Sequence, residues 1–244
     1  MRIIFSRKGF DSAAGGGPSP IVEGRPVSLP IPAFGKLSCT TYGDLRLGEH
    51  VALASRRRVS ENSLCHHDPM FLDEGRCVFG QCGAALTHLR NQGVGVGDVF
   101  LFFGWFAGEG WPDHHRIFGY LRVEEVVRLV EAPASVRQHY LSLGHPHAIG
   151  MHSTDDTLFV GEGRTASTAS PALCLTALGR SRRYWHVPDW LRTTGLTYHD
   201  QERSWPEPEL LVSAAQGQEF VADIGENDEA HEWLNATIAE ISRS

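Results

Sequence analysis

The chain has 244 residues, 41% of them hydrophobic, with 22 Lys and Arg against 29 Asp and Glu and a formal net charge of -7. That balance excludes a protein that coats nucleic acid by bulk phosphate neutralisation, so any nucleic-acid contact must rest on a pocket or a local patch. No run approaches the ~18–20 apolar residues of a membrane span, no signal-peptide order opens the chain, and the five cysteines form an odd set, so the expectation is a cytoplasmic protein without a disulfide scaffold.

The apolar run Met1-Arg2-Ile3-Ile4-Phe5 predicts a short first strand. SRKGFDSAAGGGPSPI (6–21) follows, with Ser6, Arg7, Lys8, Asp11 and Ser12 close together ahead of three consecutive glycines. At a strand end such a loop is a place for binding residues. Arg7 is a planar cation suited to phosphate or carboxylate, Lys8 is a flexible point charge, and the glycines free backbone N–H groups for an anion nest. A glycine-rich turn with solvated charges accounts for the same letters.

GRPVSLPIP (24–32) has the proline spacing of an edge strand, and 42–58 reads as a helix weakened by Gly48. His66 and Asp68 alternate, so on extended chain they share a side, and the carboxylate would orient the imidazole as a base or acid. A turn with Asp as a helix cap is the competing reading. Cys65, His66, Cys77 and Cys82 together imitate a zinc site, but a tight Cys-x-x-Cys pair is missing, and no metal is assigned.

GAALTHLRNQ (83–92) predicts a helix closed by Gly93, and 93–106 a turn and an apolar strand. AGEGWPDH follows as a hairpin loop, and 115–129 as the return strand. Further strands are expected at DTLFVGE (156–162), ALCLTALG (172–179), ELLVSA and EFVADI, with an amphipathic helix over 228–242. The pieces predict one α+β domain over 1–244, with a bent, mostly antiparallel sheet or a PUA-like β-barrel, flanking helices and a C-terminal helix.

The hairpin of 93–121 resembles that of PUA-like, ASCH and EVE domains, which bind RNA or single modified bases. Phe102, Phe103, Trp105 and Phe106 would then form a stacking wall, or else simply core. Over most of its length, the order of SRKGFDSAAGGGPSPI, CHHDP, FGQCGAALTHLRNQGVGVGDVFLFFGWF, HPH, DTLFVGEG and GQEFVAD resembles the nucleotide modification associated domain 3 family. That resemblance implies a role on a nucleotide or base, DNA ahead of RNA, without naming a reaction or a cofactor. It puts Ser6, Arg7, Lys8, Asp11, Ser12, His66, Asp68, Gln81, His88, Trp105, His147 and Glu219 among the site candidates.

AAQGQEFVADI (214–224) also resembles the catalytic strand of DNA-targeting ADP-ribosyltransferase toxins. The resemblance implies a catalytic Glu219 and an NAD contact at Arg7, although the spacing of Gln and Glu departs from the toxins'. Three readings therefore stand: a base-modifying protein with a base-sized pocket, a non-catalytic reader of modified bases, and an NAD-dependent transferase.

Overall fold

Ile3 and Phe5 point to one side of the first strand and Ile4 to the other, and all three are buried. A strand apolar on both faces belongs in the middle of a layered fold, and that is its place in the computed structural model, which describes residues 1–108, 110–152, 155–215 and 219–243.

In chain order the elements are β1 (Arg2–Arg7), β2 (Ser19–Val22), β3 (Arg25–Pro26), α1 (Gly48–Ala54), β4 (Met70–Leu72), β5 (Arg76–Gln81) and α2 (Gly83–Asn91). The long hairpin β6 (Val99–Gly108) and β7 (Trp111–Arg128) comes next, then α3 (Ala134–Ser142) and β8 (Thr157–Thr165). The chain closes with β9 (Tyr184–His186), α4 (Asp189–Thr194), β10 (Leu210–Val212), β11 (Glu219–Asp223) and α5 (Asp228–Ile241).

The main sheet runs β11-β1-β6-β7-β8-β5-β4, with β2 and β3 added at β6, while β9 and β10 form a separate pair. Most pairings are antiparallel; β1 and β2 both lie parallel to β6. The path is open, since among the described residues no pairing joins β11 to β4, so the large, mostly antiparallel sheet is present without a closed barrel. In β7 the first half pairs with β6, the second with β8, and register shifts mark irregularities along it.

The two faces carry separate cores. Phe5, Leu101, Phe103 and Phe220 pack under α5, whose Leu234 and Ile241 are buried, and whose start Asn227 caps by accepting from the Ala230 N–H at 3.1 Å. Ile4, Phe100, Phe102 and Phe106 pack on the other face against Phe79 and against Leu86 and Leu89 of α2. Phe102, Phe103 and Phe106 are thus core, not a stacking wall; of the four, Trp105 alone is half-buried.

Sequence and structure part at several elements. Helix α1 begins at Gly48 and is short, the 24–32 segment is strand only at β3, and 172–179 gives a single turn of 3-10 helix and two isolated bridges, at Cys174 and Thr176. The last two are proline-rich or flank a proline, which removes ladder donors.

Candidate functional site

The edge of β6 explains where the first loop goes. β1 pairs with it as far as Arg7↔Phe103, and β2 resumes at Ser19↔Phe106. The chain between them leaves the sheet and returns to the same edge, with the Lys8 N–H still donating to the Phe103 carbonyl at 2.8 Å. Phe10 anchors this excursion in a small core with Leu29, Tyr42, Val51, Val59 and Cys65.

The loop is not an open anion nest. Asp11 Oδ1 accepts from the N–H groups of Ala13 and Ala14 at 2.7 and 2.6 Å, and its carbonyl accepts from Gly16 at 2.8 Å. The loop's own carboxylate thus takes the Ala13 and Ala14 N–H groups, and its main chain the Gly16 N–H. The glycines serve close packing instead: a Cβ on Gly15, at φ +98°, would lie 2.3 Å from the Phe10 ring, and one on Gly17 2.1 Å from the Ala54 carbonyl.

Arg7 and Lys8 are similarly engaged. The Arg7 guanidinium donates to the carbonyls of Ala214 and Ala215 at 2.7 and 3.1 Å, and lies 5.6 Å from the ring centres of Phe103 and Phe220. Burial lowers its pKa, Asp11 opposes that and Arg182 adds to it, yet a guanidinium stays charged. Lys8 Nζ meets Glu219 Oε1 at 2.9 Å and sits 4.3 Å above the Phe79 ring. Gln81 Nε2 donates to the same Glu219 oxygen at 2.6 Å. Glu219 is itself buried, with Oε2 unpartnered among the described residues.

A cavity of about 640 Å³ opens beside these groups. Arg7, Lys8 and Asp11 form one side, His66, Asp68, Gln81, His147 and His152 the polar wall, and Ile31 to Phe34 with Met151 the apolar wall. Phe34 is 73% exposed at this site, on a backbone with φ +30°. The polar wall is a histidine cluster. His66 Nε2 is 2.8 Å from His152 Nε2, and the His147 and His152 rings stack at 4.3 Å. His147 Nδ1 is 2.7 Å from Asp156 Oδ1, and its ring lies flat on β5 because Gly80 has no side chain: a Cβ there would be 2.1 Å from His147 Cδ2.

Asp68 does not orient His66 as the alternating spacing predicts. Its Oδ1 accepts from the Gly80 N–H at 3.0 Å and lies 3.4 Å from His145 Nε2, while Oδ2 is 3.7 Å from His147 Nε2. Burial alone would raise the Asp68 pKa, but His145 at 3.4 Å, with His147 and His66 nearby, holds it well below the usual range. Burial pushes His66 down to about 3 and, with the charge of His147, His152 down to about 4. Burial opposes protonation of His147 too, but hydrogen bonds to Asp156 and Cys82 and the nearby carboxylates raise it to about 9.

A second cavity of about 500 Å³ shares Arg7, Lys8, Asp11 and Ala215 with the first and adds Ser12, Trp105, Arg182 and Arg183. There the Arg182 guanidinium stands 4.3 Å over the Trp105 ring, and Asp113 Oδ2 accepts from both side chains, at 3.1 Å from Arg182 and 3.2 Å from Trp105.

Of the residues singled out by sequence, Arg7, Lys8, Asp11, His66, Asp68, Gln81 and His147 therefore line one cavity, and Ser12 and Trp105 the adjoining one. Ser6 is buried within β1, and Glu219 lies beneath Lys8. His88 on α2 faces Thr197 Oγ1 at 3.2 Å and the Tyr198 ring, lining neither cavity. Gln216 and Gln218 of the toxin-like stretch lie outside the described residues. The four residues weighed for zinc do not assemble: Cys65 is in the small core around Phe10 and Cys77 in the sheet core. His152, Asp156 and Phe34 escaped sequence reasoning. Continuing the HPH motif five residues to His152 would have found the first; an isolated loop phenylalanine and a strand-end aspartate carry no comparable signal.

A family model described as nucleotide modification associated domain 3 matches residues 2–223. No curated protein and no solved structure matches the chain. The match spans both cavities and nearly the whole sheet, and the chain belongs to that family.

Proposed function

We propose that this member of the nucleotide modification associated domain 3 family seats a nucleotide, or a base turned out of a DNA strand, in the histidine-walled cavity for modification of the base. The observation that carries the reading is one cavity lined both by the apolar Ile31–Phe34 stretch and by the hydrogen-bonding groups of Gln81 and the histidines. A nucleobase has that same division, a π face and a polar edge, and about 640 Å³ falls within the usual range for ligand pockets. Phe34 serves as the stacking platform, a contact worth about 1–3 kcal/mol per base.

The second cavity takes the phosphate backbone. Arg182 and Arg183 supply charge there, Trp105 on β6 a second stacking face, and Arg7 marks the boundary between base and backbone. Turning a base out of a duplex costs a few kcal/mol, which these contacts offset. His66 stands at the reacting end, Asp68 is a positioning residue beneath the histidines, and Glu219 positions Lys8 and Gln81 rather than touching the ligand. With Glu219 buried and held this way, the reading gives it no part in NAD chemistry. The five cysteines, all free, suit the reducing cytoplasm.

Nucleoside mass spectrometry of DNA from cells with and without the protein tests the reading. The expected result is an altered base that disappears with His66→Ala. Oligonucleotide binding with no altered base in any sample would make the protein a reader, and no binding of nucleotide or oligonucleotide would end the proposal.

A further inference from the structure

Three imidazoles converge on the cavity wall: ligand nitrogens of His66, His147 and His152 all lie within 4.8 Å of one another. His66 comes from a part of the chain some eighty residues before the segment that carries His147 and His152, so the sheet and not one local turn brings the three together. A metal–nitrogen bond of about 2.0–2.1 Å in tetrahedral geometry sets ligand nitrogens about 3.3 Å apart. The 2.8 Å separation of His66 Nε2 and His152 Nε2 needs only to open by about half an ångström for both lone pairs to face one ion.

The surroundings are those of a metal ligand set. His147 gives Nδ1 to Asp156 at 2.7 Å, the carboxylate–imidazole pairing that fixes a ligating ring and leaves Nε2 to the metal. An ion displaces the proton that His147 otherwise holds, and Asp68 and Asp156 then bring two negative charges against the same ring, enough to balance a divalent cation in a partly buried wall.

We propose that His66, His147 and His152 hold one divalent transition-metal ion of zinc's class, with its fourth position open to the cavity. Imidazole suits zinc and its neighbours better than magnesium or calcium, which prefer oxygen. Three protein ligands with an open position are the arrangement of metal sites that present water or a substrate oxygen, whereas a closed four-ligand set is structural. Ion binding does not depend on the nucleotide reading; only what the open position faces rests on it.

The test uses the full chain, stripped by chelator and titrated with Zn2+ and Co2+ in the absence of nucleotide. One ion per chain is expected, with a visible cobalt spectrum lacking a thiolate charge-transfer band. His66→Ala and His152→Ala should each weaken binding at least 100-fold, while His88→Ala leaves it unchanged. Zn2+ should raise the unfolding midpoint of the unaltered chain and not of the two variants. If a variant does not fold, histidine-ring NMR of the unaltered chain decides, with the signals of three histidines expected to shift on Zn2+ binding.

No retained ion, full affinity in both folded variants, or NMR shifts outside these three histidines would overturn the proposal. So would a thiolate band abolished by Cys82→Ser, which would move the ion to the neighbouring Cys82, His147 and Asp156 group. Nucleotide binding, measured separately on the chelated protein, distinguishes failure of the metal site from failure of the nucleotide reading.

Discussion

Glu219 illustrates how one buried side chain organises the site. Its Oε1 takes both Lys8 and Gln81, so the carboxylate decides where two cavity-lining groups point. Removing one partner of a buried ion pair leaves the other charge uncompensated and costs about 3–5 kcal/mol. Glu219→Ala should lower stability by that order in denaturant unfolding and weaken nucleotide binding, with NAD turnover absent in both proteins. His115 makes a different residue-scale prediction. Its Nδ1 accepts from Trp185 Nε1 at 3.0 Å, and burial, with the charges of Arg7, Arg182 and His114, pushes it from 6.5 down to about 3. The unfolded chain therefore binds this proton at higher pH than the folded one. The stability it contributes is fully present above pH ~6.5 and is lost as pH falls toward ~3, at up to about 1.4 kcal/mol per pH unit. Stability measured against pH should have a shallower acid limb in His115→Gln.

At the scale of elements, the first loop is the instructive case. Gly15 and Gly17 exist for contact: the Phe10 ring occupies the space a Cβ on Gly15 would need, and the Ala54 carbonyl that of Gly17. Gly15→Ala should cost about 1–3 kcal/mol through overpacking and a strained positive φ, and loosen the Arg7 side of the cavity. Amide exchange of residues 10–17 reads the second effect directly. Apolar periodicity made β1, α2, the β6–β7 hairpin, β8, β11 and α5 legible, because each is long or strongly apolar and its partners are in the core. It could not separate a glycine loop that binds an anion from one filled by its own Asp11, since both need the same residue types. Nor could alternation place Asp68, whose direction is set by His145 and His147 more than seventy residues away.

Across the whole molecule, the shared boundary of the two cavities predicts a division of labour. Arg183→Ala should weaken binding of a single-stranded oligonucleotide and reduce its salt slope by about 1, while leaving free nucleoside affinity within error. Equal loss for both ligands would mean the second cavity does not follow the backbone. The gathering of His66, Gln81 and His147 with Arg7 and Lys8 was legible only as a set of family positions; the sheet order that brings β1, β5 and the 145–152 segment together is a tertiary fact.

The histidine-walled cavity is the proposed seat of the nucleotide. Ala85 lines it from α2 and is half-buried, so Ala85→Trp fills the cavity while leaving the sheet cores untouched. Calorimetric titration with mononucleotides should give saturable binding to the unaltered chain and none to folded Ala85→Trp. Equal affinity in the two proteins, or no nucleotide binding to either, would contradict the account.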